Sequence, residues 1–335
     1  MVKTLMLVTG DAEYDTRVKR EKETLMEQGH EVWCHDWKRD EYEDKFITII
    51  KLIFWTIKAY IYLRNCNFDV IHCHNFDTLF LGVMLKRKWG CLLYYDAHEM
   101  YAHMVQIKLI LPFEKLFMSN ANKIIAVSTP VRKYLRWLGG EDITIVQNCK
   151  PIMEKKYNPP KTKDFTFSYF GVLTEDRLYP DIVEYLGDFK KTKLVIGGYG
   201  LQTEKVKEIS KHFENIDFKG YVTEQEVFKH TLESDIVLSL FDPSNLNSRG
   251  GMPNKFFECL VLGRPMIVTK GTHIAELVKK HSIGFVVEHN VGSLGKLLHE
   301  DNLKEKCIRY GKNALQLGLN YYNWETEKQK LINLY

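Results

Sequence analysis

Short apolar runs alternate with helical periods along almost the whole chain, and this alternation restricts the fold more than any other feature. Runs such as TLMLVTG and DVIHCH are nearly continuous in apolar residues, and amphipathic stretches such as RVKREKETLMEQG separate them. Near-continuous apolar strands are typical of parallel sheets that helices cover on both faces. The sequence therefore predicts an α/β fold with doubly wound parallel sheets.

The alternation is interrupted at residues 151–164. This stretch is polar, contains three prolines and has no periodicity, as expected of a linker. It divides the 335-residue chain into domains of residues 1–150 and 165–319, each long enough for its own core. We expect two Rossmann-like domains facing a central cleft, because ligands of such sheets bind beyond the carboxyl ends of the strands. A helix over 320–335 is expected to cross back to the first domain.

The net charge and the cysteines indicate which binding partners and which cellular compartment to expect. The formal net charge is only +4, which is too balanced to indicate nucleic acid, although it permits a basic patch near anionic lipid. The seven cysteines are scattered, and Cys34, Cys73 and Cys91 lie in apolar, strand-like runs. We interpret them as buried free thiols of a reducing compartment. No secretory signal is visible, so we expect a cytoplasmic protein.

Two apolar segments of the first domain have the character of membrane-surface helices. In residues 46–64, Lys51 and Lys58 lie seven residues apart on one helical face, and the segment is too interrupted for a membrane span. In residues 104–117, lysines are flanked by large apolar side chains. Two interpretations stay open: these helices pack on the sheet, or they dock on an anionic membrane at the inner face of the cell membrane.

A lysine occupies an unfavourable position in the stretch GGMPNKFFECLVLG. Pro253 is predicted as the first helical residue, so Lys255 lies in the first turn, where the helix dipole disfavours a cation. A bound phosphate would turn this cost into a gain, and Gly250 and Gly251 would let an anion reach the free N–H groups of the helix. Glu258 lies on the same face as Lys255, so a surface Lys–Glu pair is the alternative.

Two other glycine-containing turns follow predicted strands of the second domain. Gly171 directly follows a strand in SYFGVLTEDR, and Arg177 shortly afterwards offers a guanidinium to a phosphate. Gly198 lies in VIGGYG, which is not the dinucleotide pattern GxGxxG and is explained equally well by a plain turn. Neither domain carries GxGxxG followed by an acid about twenty residues later, which disfavours a dehydrogenase.

Polar residues also follow strands of the first domain. Gly10, Asp15 and Arg17 lie after the first strand, where an acceptor could bind, although capping of the next helix by Asp15 is the alternative. His72 and His74 share one face of a predicted strand. No third ligand is evident beside them, so the sequence predicts no metal site. A position in the core or at the edge of the cleft is expected instead, and His74 joins Gly10, Asp15 and Arg17 as a candidate acceptor-binding residue.

Several motifs occur in a characteristic order along most of the chain: DTRVKREKETLMEQGHEV, DVIHCHNFDTLFLG, YYDAHEMY, KIIAVSTPVRKYL, IVQNC, YFGVL, IGGYG, FKGYV and PNKFFECLVLGRPMIVT. In order and spacing they resemble the GT-B glycosyltransferases, in particular the retaining enzymes of glycosyltransferase family 4 (group 1). The resemblance implies that the first domain binds an acceptor and the second a nucleotide-diphosphate sugar. It also implies a metal-independent transfer with retention at the anomeric carbon and no cofactor.

The same resemblance implies roles for individual residues. Arg177 and Lys255 match the basic pair that holds the diphosphate, and Glu258 matches the acid that contacts the ribose. The other contacts that it implies are Gly171, Gly198 and Tyr221 for the donor and His98 near the transferred sugar. The first acid of the family pattern E-x7-E is replaced here by Gly250. The candidates to replace it are Asn245, Asn247, Ser248 and the backbone of Gly250 and Gly251.

These patterns together predict a hexosyltransferase that adds a sugar to a glycan or lipid-linked glycan, in polysaccharide biosynthesis. Fixed cations and a helix N-terminus would stabilise the charge that develops on the leaving phosphate. The family resemblance implies a front-face attack in which this phosphate acts as the base. Two alternatives stay open. One is a nucleotide-sugar 2-epimerase of the GT-B fold, which would need several carboxylates near the sugar. The other is a non-catalytic nucleotide-sugar-binding subunit.

Overall fold

The computed structural model describes residues 1–38 and 45–335, which form two compact units. Unit 1 comprises Met1–Asn148 and Glu327–Tyr335, and unit 2 comprises Cys149–Thr326. Each unit has its own hydrophobic core around a parallel sheet. The predicted α/β fold class, with doubly wound parallel sheets, is therefore confirmed.

The sheet of unit 1 has the strand order β2-β1-β3-β4-β5-β6, and all pairings between these strands are parallel. The strands are β1 (Lys3–Thr9), β2 (Glu31–Trp37), β3 (Val70–His74), β4 (Leu92–Ala97), β5 (Lys123–Ala126) and β6 (Ile143–Ile145). The order reverses between β1 and β3, so the carboxyl ends of these strands form a topological switch point, where such sheets bind ligands.

The helices of unit 1 cover this sheet and explain its apolar strands. They are α1 (Thr16–Glu27), α2 (Lys45–Leu63), α3 (Phe76–Trp89), α4 (Tyr101–Val105), α5 (Leu111–Met118) and α6 (Thr129–Trp137). Leu5, Leu7 and Ile71 of the central strands share one core cluster with Leu79 and Leu81 of α3. Every residue of β3 is buried, which accounts for its continuous apolar run.

Unit 2 repeats the architecture with the strand order β12-β11-β10-β7-β8-β9, again with parallel pairings. Its strands are β7 (Phe165–Val172), β8 (Thr192–Tyr199), β9 (Ile216–Gly220), β10 (Ile236–Ser239), β11 (Met266–Thr269) and β12 (Gly284–Val287). The order reverses between β7 and β10, which places the switch point of unit 2 at the end of β7.

The helices of unit 2 lie around this sheet, and one of them is almost entirely buried. They are α7 (Asp181–Gly187), α8 (Thr203–Ser210), α9 (Glu224–Leu232), α10 (Leu246–Gly250), α11 (Asn254–Leu262), α12 (His273–His281), α13 (Gly292–Leu298) and α14 (Leu303–Asn320). All residues of α11 after the first are buried, and Phe256, Phe257 and Leu260 share a core cluster with Ala314 and Leu317 of α14.

The boundary segments differ in detail from the expected elements. Residues 151–164, all described, contain no helix or strand and belong to unit 2. The helix expected over 320–335 is present but shorter: α14 ends at Asn320, and α15 covers Trp324–Ile332. The side chain of Asn323 accepts a hydrogen bond from the amide of Thr326 at 2.9 Å, so a new helix begins there.

The two amphipathic segments of unit 1 expose much of their apolar surface. Residues 46–63 fall in α2, and several of its apolar side chains are 39–61% accessible, among them Ile49, Ile50, Ile53, Phe54, Ile57 and Ile61. The side chain of Phe46 lies outside the described residues. Residues 104–117 form the end of α4, a 3-10 turn and α5, and expose Leu109, Phe113 and Leu116. Within the described residues, no helix is both long and apolar enough to cross a bilayer.

Candidate functional site

Three residues predicted from two separate motifs meet at the switch point of unit 2. Gly171, near the end of β7, has a φ of +147°. A Cβ atom at this position would lie 2.9 Å from Lys255 Nζ and 3.9 Å from Arg177 Nη1. Glycine thus leaves open the space between two cations and the backbone, at the place where a parallel sheet binds its ligand.

Lys255 is held in an unusual environment for a lysine. Its side chain is only 7% exposed, and its Nζ donates a hydrogen bond to the carbonyl of Phe170 at 2.7 Å and lies 4.1 Å from the ring centroid of Tyr169. Burial, followed by repulsion from Arg177, lowers the pKa of Lys255 to about 7. Pro253 is the N-cap of α11 and not its first residue, because its ψ of 149° is extended. Lys255 still lies in the first turn.

Arg177 is the last residue of a short 3-10 helix that follows β7. The protein uses only part of the hydrogen-bonding capacity of its guanidinium. Its Nη1 donates to Tyr169 Oη at 3.3 Å and to the carbonyl of Val172 at 3.4 Å, and its guanidinium carbon lies 4.8 Å from the ring centroid of Phe241. Its Nε is buried and has no hydrogen-bond partner in the described part of the chain. An oxyanion of a ligand would supply that partner.

Two other residues that were predicted to bind the nucleotide-sugar donor lie on the β8–β9 side of β7. Gly198 pairs with Gly171 across the parallel strands, and a Cβ at Gly198 would lie 1.8 Å from the carbonyl oxygen of Gly171. Close packing of the two strands therefore explains this glycine by itself. Tyr221 directly follows β9, and its side chain is 73% exposed.

Glu258 is buried and does not form the surface pair with Lys255 that the sequence allowed. Its ion-pair partner is Lys150, whose Nζ lies 3.6 Å from Glu258 Oε1 and donates to Glu224 Oε1 at 2.6 Å. The surface-pair interpretation is therefore wrong. Lys150 was not predicted, because a single lysine at the edge of a linker carries no local signal.

Of the two glycines before α11, only Gly250 belongs to a helix, the short α10. Gly250 is the last residue of α10, and Gly251 follows it in an extended conformation. The side chain of Asn245 caps α10 by accepting from the amides of Asn247 at 2.9 Å and Ser248 at 3.3 Å. These amides are therefore used within the protein.

The switch point of unit 1 contains a buried cluster of ionisable side chains from α1, β3 and β4: Arg17, Glu21, His72, His74 and Asp96. None of them is more than 2% exposed. His98 lies at its margin, with a side chain that is 16% exposed. The sequence suggested Arg17, His74 and His98 as ligand-binding residues but gave no sign of Glu21 or Asp96.

Arg17 organises the buried cluster and does not present its guanidinium to an acceptor as predicted. Its Nε and Nη2 donate to the two carboxylate oxygens of Asp96 at 2.8 and 2.9 Å, and its Nη1 donates to the carbonyl of Val146 at 2.9 Å. Its Nη2 also lies 2.9 Å from Glu21 Oε1. Burial alone would raise the pKa of Asp96, but Arg17 and the neighbouring imidazoles hold it well below its usual range.

The histidines of unit 1 differ in accessibility. His74 is buried, which argues against the predicted direct contact with an acceptor, and burial together with His72 lowers the pKa of His74 to about 3. Its Nδ1 lies 3.2 Å from His98 Nε2. Burial opposes protonation of His98, yet Asp96 at 3.3 Å raises the pKa of His98. His98 therefore combines partial exposure with a cationic tendency.

The remaining predicted acceptor residues have different local roles. Gly10 has a φ of +131°, and a Cβ there would meet nothing within 4 Å. The side chain of Asp15 accepts from the amides of Arg17 and Val18 at 2.9 and 3.1 Å, so capping of α1 is the role that the structure gives it. Gly10 thus borders open space, whereas Asp15 fixes the start of the helix that carries Arg17.

Comparison with known families and structures gives matches over most of the chain. Residues 16–149 match the family described as Glycosyltransferase Family 4, and residues 176–300 match the family described as Glycosyl transferases group 1. No curated protein gives a significant match.

Solved structures share the fold of this chain at low sequence identity. Sucrose-phosphate synthase from Thermosynechococcus elongatus has a TM-score of 0.79 and 13% identity, covering 99% of this chain and 98% of that one. HepE of Anabaena, solved with UDP and glucose, has a TM-score of 0.74 and 16% identity, covering 100% and 99%. The lipopolysaccharide outer core galactosyltransferase WaaB has a TM-score of 0.67 and 14% identity, covering 99% and 98%.

Proposed function

Because the chain belongs to the group 1 glycosyltransferases of GT-B fold, we propose that it transfers a sugar from a nucleoside-diphosphate sugar held by unit 2 to an acceptor bound by unit 1. The observation that carries this proposal is the meeting of Gly171, Arg177 and Lys255 at the switch point of unit 2. The structures of HepE with UDP and with UDP-glucose support a donor of this class.

The two cations suit a leaving diphosphate. Lys255 and the unused Nε of Arg177 would stabilise the charge that develops on the phosphate when the glycosidic bond breaks. We propose that they do so in place of a metal ion at the diphosphate. The transfer then proceeds with retention at the anomeric carbon, and the leaving phosphate takes the proton of the acceptor hydroxyl.

The carboxylate of Glu258 is suited to the ribose. It is fixed by Lys150, and a carboxylate accepts hydrogen bonds from two adjacent hydroxyls. Gly250 stands where the family pattern has a further acid, so the donor sugar is held by other groups, for which Asn247 and the backbone of Gly251 are candidates.

The exposed apolar surface of unit 1 supports a lipid-linked glycan acceptor and attachment to a membrane surface. Both α2 and α5 pack against α3, where Phe80 is exposed and lies 5.2 Å from Phe117, centroid to centroid. The exposed side chains of these helices therefore lie on one side of unit 1, among exposed basic residues such as Lys58 and Lys115. Apolar area edged by basic charge fits anionic lipid headgroups.

Vesicle sedimentation tests the membrane part of this proposal. We expect the protein to pellet with vesicles that contain anionic phosphatidylglycerol, less with pure phosphatidylcholine, and the double variant Ile53→Glu/Ile57→Glu to lose most of this binding. Leu201→Glu, at an exposed leucine of unit 2, is the matched control. No binding to anionic vesicles, together with equal activity on a soluble acceptor, would contradict membrane attachment.

Thermal shifts with UDP, GDP, ADP and TDP, followed by transfer assays with the corresponding sugars, test the activity. One nucleotide should raise the melting temperature of the wild type by mass action, and Lys255→Met should lose most of this shift, while the surface variant Lys280→Met keeps it. In the transfer assay, Lys255→Met should reduce kcat by about 10²–10³-fold.

Product analysis separates the proposed activity from its alternatives. NMR of the product should give the same anomeric configuration as the donor, and added Mg²⁺ or Mn²⁺ should leave the rate unchanged. Conversion of the donor without an acceptor would instead indicate an epimerase. Nucleotide binding without transfer to any acceptor would indicate a binding subunit, and no binding at all would overturn the donor site.

A further inference from the structure

Four side chains of the buried cluster bring metal-ligating atoms together in unit 1. One nitrogen or carboxylate oxygen from each of Glu21, His72, His74 and Asp96 lies within 4.8 Å of the others, and none of these side chains is more than 1% exposed. They come from α1, β3 and β4, so no local motif in the sequence contains them. Imidazole and carboxylate groups in this combination are typical of zinc ligands.

Several nitrogen and oxygen atoms of these four side chains have no hydrogen-bond partner within the described residues. They are the Nε2 atoms of His72 and His74 and the Oε2 atom of Glu21. Buried polar atoms are almost always paired, and a buried atom that the protein leaves unpaired points to a ligand. Arg17 holds the other oxygen of Glu21 at 2.9 Å and both oxygens of Asp96, so the carboxylates are fixed while Glu21 Oε2 is left unused.

The distances suit a shared ion better than direct hydrogen bonds. His72 Nε2 lies 3.7 Å from Glu21 Oε2 and 3.7 Å from Asp96 Oδ2, which is too long for a hydrogen bond. Two ligands that each lie about 2.0–2.2 Å from a zinc ion are separated by roughly 3–4 Å. His72 Nδ1 lies 2.7 Å from Tyr335 Oη, an outer partner of the kind that directs the opposite nitrogen of a histidine towards a metal.

Within the buried cluster the carboxylates of Glu21 and Asp96 both face one guanidinium, that of Arg17, and His98 lies at the margin. We propose that Glu21, His72, His74 and Asp96 bind one divalent transition-metal ion of the zinc type. The proposed ion is held only by residues of unit 1, whereas the donor site is proposed in unit 2, so the metal site does not rest on the function proposed above. It would fix Asp96, whose Oδ2 lies 3.3 Å from His98 Nε2.

Metal content and zinc titration of the full chain test the site. The purified protein is stripped with a chelator, dialysed and titrated with zinc chloride by calorimetry, and its metal content is measured by mass spectrometry. We expect one zinc ion per chain and no binding of Mg²⁺. His72→Gln and Glu21→Gln should each lose the ion, whereas His212→Gln, at an exposed histidine of unit 2, should keep it.

Wild-type measurements keep the test decisive even if a cluster variant fails to fold. Cobalt(II) added to the stripped wild type should give visible absorption bands of nitrogen and oxygen coordination that zinc then abolishes. The proposal is overturned if the stripped wild type takes up no zinc, or if both variants fold and still retain zinc. A thiolate-to-cobalt absorption band would also overturn it, because it would assign the metal to a thiol such as Cys66. UDP binding by the stripped wild type should be unchanged, so a failed metal site and a failed donor site are distinguishable.

Discussion

At the scale of single residues, Lys255 predicts how donor binding depends on pH. Its pKa is lowered to about 7 in the free protein, and a bound diphosphate would raise it, because the anion favours the charged amine. Above pH 7 the free protein loses this proton and must regain it on binding. The affinity for the nucleoside diphosphate should therefore fall between pH 7 and 9, by up to about tenfold per pH unit.

Calorimetry in two buffers of different ionisation enthalpy measures this effect directly. Wild-type protein should take up protons on binding above pH 7, where the terminal phosphate, with a pKa of about 6, is already ionised. Lys255→Met should bind more weakly and with little pH dependence over the same range. Equal affinity of the wild type at pH 7 and pH 9 would show that Lys255 does not contact the phosphate.

The ion pair of Lys150 and Glu258 predicts that one substitution weakens binding of the nucleoside part of the ligand and not of the diphosphate. Lys150→Met removes the cation that fixes Glu258, so hydrogen bonds from the ribose should weaken and the Kd for the nucleoside diphosphate should rise by roughly 10–100-fold. Binding of inorganic diphosphate should change little, because Arg177 and Lys255 remain. Lys193→Met, which breaks the exposed pair with Asp217, is the control. An equal loss for both ligands would indicate general disruption of unit 2.

Residues with a local signature could be predicted, and those defined by distant partners could not. Gly171 and Lys255 were identified because a glycine after a strand and a lysine in a first turn are each unusual in their local context. Arg17 was identified but misjudged, since its partner Asp96 is 79 residues away and only the sheet brings the two together. Glu21 gave no signal at all, because a glutamate in an amphipathic helix is expected to face water.

At the scale of secondary structure, the periodicity of apolar residues predicted where helices and strands lie but not which of their side chains are buried. Helix α2 was predicted from its apolar pattern, yet the pattern did not decide whether those side chains are buried. In the structure Thr56, Ala59 and Leu63 face the core, while Ile53 and Phe54 are exposed. A helix that is apolar around most of its circumference has no single face that periodicity can assign to the core.

The contact between β7 and β8 predicts a large effect for a small substitution. Gly198→Ala would place a Cβ at 1.8 Å from the carbonyl oxygen of Gly171, at a φ of +140°. Strain and overpacking together should lower the free energy of unfolding by about 2–5 kcal/mol. Gly220→Ala, where φ is +65° and no atom lies within 4 Å, should cost only about 1–2 kcal/mol. Urea unfolding of both variants measures the difference, and equal losses would contradict the proposed close packing.

At the scale of the whole molecule, the alternation of strands and helices predicted the α/β class, whereas the strand order came from the structure. Both sheets reverse their order at a switch point, between β1 and β3 in unit 1 and between β7 and β10 in unit 2. Loops that look unrelated in the sequence meet at these points. The strand order depends on which strands pair, and the apolar sequence of one strand does not specify its pairing partner.

Hydrogen–deuterium exchange over the whole chain tests where the donor binds. A nucleoside diphosphate should slow amide exchange most in residues 169–178 and 250–260, because these segments carry the cations and glycines around the switch point of unit 2. Lys255→Met should abolish most of this protection at the same ligand concentration. Zinc, by contrast, should protect segments of the buried cluster in unit 1. If nucleotide protected chiefly unit 1, the donor would be bound by the other Rossmann-like unit, and the roles proposed for Arg177 and Lys255 would be wrong.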